Sequence, residues 1–323
     1  MLNNNTSKTI KSDLNKPKIP AHITCRQCGS DKLINRGKMV QSDMFCGVKL
    51  SNDWEAGSYY ECRHCHLSFR HPIRKQSEYV NLYQETPNNI YSSINLRHDQ
   101  KLVLDTINRH RTGGTILDVG CFDGALLSGL ATTFQKFGIE ASKEAQKLCK
   151  KAGIEIIADS AEALIDIEKK YDIICAVDVI EHLISPHIFI RDIATKLNPN
   201  GLLIISTGNA NNKIWRLFGG RYWYCAFPEH ISFISSEWIK KITNECPFKI
   251  IELIDYQHVN INITKMTAYV KFVGRLIRGY TELITLQMYD DKSNNPKYKL
   301  GYPGVAKDHM LIVLQLNINK ITN

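Results

Sequence analysis

No stretch of the 323 residues approaches the roughly 20 consecutive apolar residues that a membrane-spanning helix needs. The first twenty residues are polar, built from Asn, Lys, Ser and Thr, and lack the apolar core of a secretory leader. A cytoplasmic chain is therefore expected. Internal repeats are not apparent, and nowhere does a full Gly-x-Gly-x-x-Gly run occur. Collagen-like, wholly disordered and coiled-coil classes do not fit a composition of 43% hydrophobic and 23% charged residues. Without a leader, the ten cysteines are not read as a disulfide framework.

What is present suits one large domain and a small one. The formal charge is +9, and it is unevenly spread. Residues 1–110 hold 16 basic and 10 acidic side chains, residues 111–255 hold 16 and 18, and residues 256–323 hold 9 and 4. Basic flanks can attract nucleic acid, anionic lipid or a phosphorylated substrate, and without clustering they serve solubility. Residues 1–20 read as a disordered tail, 21–75 as a small Cys- and His-rich module, and 76–110 as a helical linker. From 111 to 323 the pattern is that of one α/β domain with a helical insertion near 263–290.

Short apolar runs alternate with helical segments after residue 114. Strands are predicted at Thr115–Val119, Lys136–Ile139, Ile154–Ala158, Tyr171–Val177 and Gly201–Ser206. Helices are predicted from Ala125, over Lys143–Ala152 and Ala161–Glu168, and near Ile188–Leu197. That alternation implies a doubly wound, mostly parallel sheet with helices on both faces. Phe248–Asp255 and His309–Leu316 are further strands, bringing the sheet to seven.

Cys25-Arg26-Gln27-Cys28 and Cys62-Arg63-His64-Cys65 are two thiolate knuckles. Such a pair of knuckles closes a tetrahedral sulfur site, which suits a structural Zn²⁺ with no open position. His64, His66 and Cys46 are spare donors.

In Ile116-Leu117-Asp118-Val119-Gly120-Cys121-Phe122-Asp123-Gly124 a buried strand runs into a glycine turn and then a helix. A ligand can lie there against bare backbone N–H groups at the carboxyl edge of the sheet. Glu140, after the second strand, is placed to accept from a ribose diol, and Asp159, after the third, from an adenine amino group.

Leu117-Asp118-Val119-Gly120, Glu140, Asp178-Val179-Ile180-Glu181-His182-Leu183, Leu197-Asn198-Pro199-Asn200-Gly201 and Ser206-Thr207-Gly208-Asn209 together resemble a class I S-adenosylmethionine-dependent methyltransferase. The resemblance covers about residues 90–255 and resumes at Asp308-His309-Met310-Leu311. It implies a Rossmann-like fold in which Asp118, Gly120 and Gly124 flank the methionine part of the cofactor, with Cys121 and Asp178 also among the cofactor-binding residues. Glu140 would hold the ribose, and Asp159 and Ser160 would face the adenine. Phe122 stands where the family usually has glycine.

Methyl transfer to a hydroxyl needs alignment and removal of a proton. Asp178, Glu181 and His182 after the fourth strand and His230 after the fifth are the catalytic candidates. Asp178, Glu181 and His182 resemble the Glu-x-x-Glu-His metal cluster of ubiquinone-type O-methyltransferases and small-RNA 2′-O-methyltransferases, with His230 as a fourth ligand in the RNA group. A second divalent metal is implied there, although Asp178 is one methylene shorter than glutamate.

Tyr60-Glu61-Cys62-Arg63-His64-Cys65-His66-Leu67-Ser68-Phe69-Arg70-His71-Pro72 resembles the zinc-ribbon start of bacterial methyltransferases from sugar and surface-polysaccharide clusters. An O-methyltransferase acting on a sugar or glycan precursor is the first expectation, with Trp215, Tyr222, Trp223 and Tyr224 available to stack on pyranose faces. The alternatives are RNA 2′-O-methylation, sugar C-methylation and a non-catalytic scaffold. The amphipathic stretch Lys265–Leu286 reads as sheet packing, with a substrate lid, a dimer surface or a weak peripheral membrane contact as the alternatives.

Overall fold

The central apolar runs Ile173–Ala176 and Gly201–Ser206 take up strand geometry with side chains buried on both faces, whereas the edge strands at Glu155–Ala158 and Phe248–Tyr256 are only partly covered. A computed structural model describes residues 22–87, 96–258 and 307–317. The expected tail at 1–20 and the helices expected near 263–290 lie outside the described residues. The elements, in chain order, are β1 (Leu33–Lys38), β2 (Met44–Phe45), β3 (Val48–Lys49), β4 (Ser58–Cys62), β5 (Ser68–His71), α1 (Gln76–Glu85), α2 (His98–His110), β6 (Gly114–Val119), α3 (Ala125–Ser128), β7 (Phe134–Ile139), α4 (Lys143–Lys151), β8 (Glu155–Ala158), β9 (Tyr171–Val177), α5 (Pro186–Lys196), β10 (Leu197–Gly208), α6 (Lys213–Phe218), β11 (Ser232–Phe233), α7 (Ser236–Glu245), β12 (Phe248–Tyr256) and β13 (His309–Leu316).

The large sheet has the order β12-β13-β10-β9-β6-β7-β8. Strands β10, β9, β6, β7 and β8 are parallel, and β13 runs antiparallel to both β10 and β12. This is the Rossmann-like methyltransferase fold. β6 sits between β7 and β9, with Asp118 opposite Gly138 on one side and Cys175 on the other. The chain reverses direction of travel through the sheet here, so a crevice opens above the carboxyl ends of β6 and β9.

Three readings are corrected. The helix expected from Ala125 is only one turn long, ending at Ser128, where the Gly129 N–H closes the turn on the Ala125 and Leu126 carbonyls. The segment Ala161–Asp166 is a 3₁₀ helix. Leu197–Asn200, expected to precede the fifth strand, belongs to β10, which pairs with β9 at Leu197↔Tyr171 and resumes at Leu202 after an irregularity with Asn200 at φ 59°.

The N-terminal strands form a separate four-stranded sheet, β1-β4-β5-β11, whose last strand comes from the far side of the chain. Cys25, Cys62, Cys65, Leu67 and Phe69 share a continuous apolar core with Leu117, Ile174 and Ile205 of the large sheet. The small sheet is thus packed into the large domain. Among the described residues no helix is long and apolar enough to cross a membrane.

Candidate active site

A cavity of about 470 Å³ occupies the crevice above β6 and β9. Its floor is the glycine turn. Gly120 (φ 72°), Phe122 (φ 45°) and Gly124 (φ 77°) all adopt left-handed backbone. Phe122 thus keeps the conformation that glycine would adopt, at a cost in strain of the kind found at binding sites. A Cβ on Gly120 would meet Val179 Cγ2 at 2.7 Å, and one on Gly124 would meet Ile154 Cδ1 at 2.3 Å. Ile154 can turn aside, so the positive φ dominates. Gly124→Ala is expected to cost about 1–3 kcal/mol, read as a lowered denaturation midpoint. An unchanged midpoint would mean the turn relaxes freely.

Glu140 is buried at the end of β7. Its Oε2 accepts from Phe122 N–H at 2.9 Å and its Oε1 from Ser142 N–H at 2.7 Å, so the carboxylate holds the turn while lining the cavity. Asp118 is buried, and its carboxyl is pushed up to about 8 by burial and then by the charge of Glu140. The folded state therefore keeps a proton on Asp118 that the unfolded chain gives up near 3.8. Its stabilising contribution is fully present below that value and is lost as pH rises through about 8. In thermal melts across this window Asp118→Asn should flatten the fall in midpoint with pH, and an identical slope would refute this assignment.

Asp159 lies on the rim, largely exposed and 3.6 Å from Lys143 Nζ. Ser160 caps the following 3₁₀ helix by accepting from Ala163 N–H. Both line the cavity. The Cys121 thiol sits 3.7 Å from the Cys149 sulfur and packs over Gly138, where a Cβ would lie 2.4 Å from it. The Cys121 thiol therefore faces packing, while the residue also lines the cavity.

Across the cavity, Asp178 also has a positive φ of 51°. Its Oδ2 accepts from Arg97 at 2.8 Å, and Arg97 also binds Asp99. Burial drives the Asp178 carboxyl well above the usual carboxylate range, with Arg97 opposing. Arg97 thus takes up Oδ2 of Asp178, whose buried Oδ1 has no hydrogen-bond partner among the described residues. Asp178 does not join the group that brings ligand atoms together, which is Glu181, His182 and His230, all within 4.8 Å of one another. Glu181 is fully buried and accepts from Thr207 and Tyr224 hydroxyls. The His182 Nδ1 lies 2.9 Å from the Tyr83 hydroxyl and 3.0 Å from the Glu229 carbonyl. His230 Nδ1 lies 2.8 Å from the Tyr224 carbonyl. A carbonyl only accepts, so Nδ1 carries the proton. Burial pushes the imidazole well below its ordinary pKa, and the neutral ring therefore keeps a lone pair on Nε2.

Aromatic residues close the cavity. Tyr79, Tyr83, Trp223, Tyr224 and Phe227 line it, together with Arg97 and His258, which sequence reasoning missed. Two of the predicted stacking residues do not reach it. Trp215 and Tyr222 are buried in the core with their rings stacked at 5.0 Å.

The four knuckle thiols also converge. Cys25 Sγ is 3.5 Å from Cys65 Sγ, and Cys28 Sγ is 3.6 Å from Cys62 Sγ. These separations are far beyond a disulfide bond and close to the edge of about 3.8 Å expected of a tetrahedral zinc–thiolate site. A hydrogen bond from Cys65 pulls the Cys25 thiol down to about 5. The set could hold a zinc ion.

The parallel order, the glycine turn and the carboxylate ending β7 define a class I S-adenosylmethionine-dependent methyltransferase domain. Residues 96–253 match the family model described as Methyltransferase domain. Ubiquinone biosynthesis O-methyltransferase of Azorhizobium caulinodans is 32% identical over 112 residues, covering 32% of this chain and 44% of that protein. Its namesake from Bartonella bacilliformis is 29% identical over 163 residues, covering 46% and 66%. The chain spans about half the length of the first curated relatives it matches. Their names concern ubiquinone, not sugars or polysaccharides. Among solved structures, N-methyltransferase NodS from Bradyrhizobium japonicum WM9 with S-adenosyl-L-homocysteine covers 68% of this chain and 88% of its own, at 13% identity and a TM-score of 0.41.

Proposed function

We propose that the chain is an O-methyltransferase that uses S-adenosylmethionine to methylate a ring hydroxyl, with a sugar or glycan precursor as acceptor. The observation that carries this reading is the neutral His230 imidazole, whose Nε2 lone pair belongs to a cavity-lining ring beside His182 and Glu181. S-adenosylmethionine supplies an electrophilic methyl group on a sulfonium. Its binding residues fit: the left-handed turn at Gly120–Gly124, whose Gly120 and Phe122 N–H groups are held by Ile139 and Glu140 so that the backbone lies open to the cavity, Glu140 for the ribose, and the Asp159–Ser160 rim for the adenine. Asp118 and Arg97 would face the methionine end. His230 then takes the acceptor proton as the hydroxyl oxygen bonds to carbon, and Trp223 and Phe227 flank the ring of the acceptor.

A divalent cation also fits this group, as an alternative in which the His230 Nε2 lone pair is a ligand and not the proton acceptor. Glu181 is a buried carboxylate that no Lys or Arg among the described residues pairs with, and two imidazoles stand beside it. Held there, a cation would lower the pKa of the acceptor hydroxyl. The ubiquinone-named relatives favour a second acceptor class, the hydroxyl of an aromatic ring.

The test is mass spectrometry after incubation with S-adenosylmethionine and two panels, nucleotide sugars and dihydroxybenzoates, each with and without added Mg²⁺. A methyl ether on a nucleotide sugar supports the reading. An ether on the phenols alone would move the acceptor to the second class, and methyl on carbon or on nothing would overturn O-methylation.

A further inference from the structure

Arg70, on β5 of the N-terminal sheet, is 3% exposed, and no carboxylate among the described residues pairs with it. A guanidinium is costly to bury without a counter-charge, and here backbone carbonyls alone satisfy it. Its Nε donates to the His230 carbonyl at 3.0 Å, its second terminal nitrogen donates to Cys225 at 2.9 Å and Phe227 at 2.8 Å, and its first donates to Ala56. Three of those four carbonyls belong to the segment that carries His230. The Arg70 backbone N–H adds a bond to the Ile231 carbonyl at 3.0 Å.

The first knuckle holds the same segment. Arg26, between Cys25 and Cys28, donates to the Ile231 carbonyl at 2.5 Å and to Ser232 Oγ at 2.7 Å. Gln27 accepts from Trp238 Nε1 at 2.7 Å. The segment is tied in turn to the other histidine, since Ile231 N–H donates to the Glu181 carbonyl at 2.9 Å and Ser232 Oγ to the Leu183 carbonyl at 2.6 Å. A continuous set of bonds therefore runs from the cysteine cluster to His230, Glu181 and His182.

We propose that Arg70 is a positioning residue, and that through it and Arg26 the cysteine cluster sets the acceptor side of the cavity while the cofactor turn is set separately by Glu140. The assignment of His230 to the acceptor side rests on the function proposed above. The glycine turn takes its own bonds from β7, at Gly120 N–H and Cys121 N–H to the Ile139 carbonyl and at Phe122 N–H to Glu140.

Hydrogen–deuterium exchange on the zinc-loaded full chain tests this. Arg70→Met should raise amide exchange across 225–233 by about tenfold or more, as local opening of a released segment would. Arg70→Lys, which keeps the charge and part of the donor set, should recover part of that protection. Calorimetric affinity for S-adenosylhomocysteine should stay within about twofold, because its ligands are untouched. If Arg70→Met fails to fold, Arg26→Ala and reversible extraction of zinc from the wild-type chain with a mercurial and a chelator should loosen 225–233 in the same way. Unchanged exchange there overturns the proposal, as does an equal loss of cofactor affinity in Arg70→Lys, which would make Arg70 a general element of the fold. A wild-type chain that binds no S-adenosylhomocysteine would sink the proposed function instead, and the exchange comparison would still judge Arg70.

Discussion

Replacing His230 with alanine is expected to slow methyl transfer by about 10²–10⁴-fold, the usual worth of a positioned proton acceptor. S-adenosylmethionine affinity should change little, because the cofactor turn and Glu140 lie on β6 and β7, away from the His230 loop. The pH profile adds a second reading. Burial and the neighbouring His182 hold the His230 imidazole well below its ordinary pKa, so the basic form persists into acid. The acidic limb of the rate profile should then fall below about pH 6.5, the value of an unperturbed histidine. A variant that loses cofactor affinity as completely as turnover would mean that His230 holds the fold.

Cys62→Ser should have the largest effect on stability. Cys62 is fully buried and lies against Cys28. A structural zinc contributes its binding energy directly to folding, and a serine oxygen is a poor replacement for a thiolate. Zinc by elemental analysis should fall from about one per chain to near zero, with a drop in denaturation midpoint on the order of 10 °C. The same knuckles contribute Cys25, Cys62 and Cys65 to the core shared with Leu117 and Ile174, so the loss should reach the large sheet. Wild-type protein purified without chelator that contains no zinc would contradict this.

The parallel strands were legible because strands buried on both faces are apolar in near-continuous runs, as in Ile173–Val177. The glycine turn was legible because Gly120 and Gly124 occupy left-handed backbone that few other residues tolerate. The short helix after it was not, since the apolar run from Ala125 continues through Leu130 and Ala131 with Gly129 alone to mark the stop. Arg97 and Arg70 were missed for a different reason. Arg97 reaches Asp178 across 81 positions and Arg70 reaches His230 across 160, and neither spacing leaves a local pattern. Trp215 and Tyr222 carry no local mark that separates core from cavity. The two-residue strand Ser232–Phe233, which joins the N-terminal sheet, is too short for any period to appear.

S-adenosylmethionine is expected to bind on the Gly120 turn and to be held by Glu140. Isothermal titration of the wild-type chain and of Glu140→Ala with S-adenosylmethionine tests it most directly. Saturable one-to-one binding is expected, weakened by about 10–100-fold in the variant, the worth of hydrogen bonds to a buried charged group. Equal affinities in the two proteins, or no heat from folded wild-type chain, would contradict it.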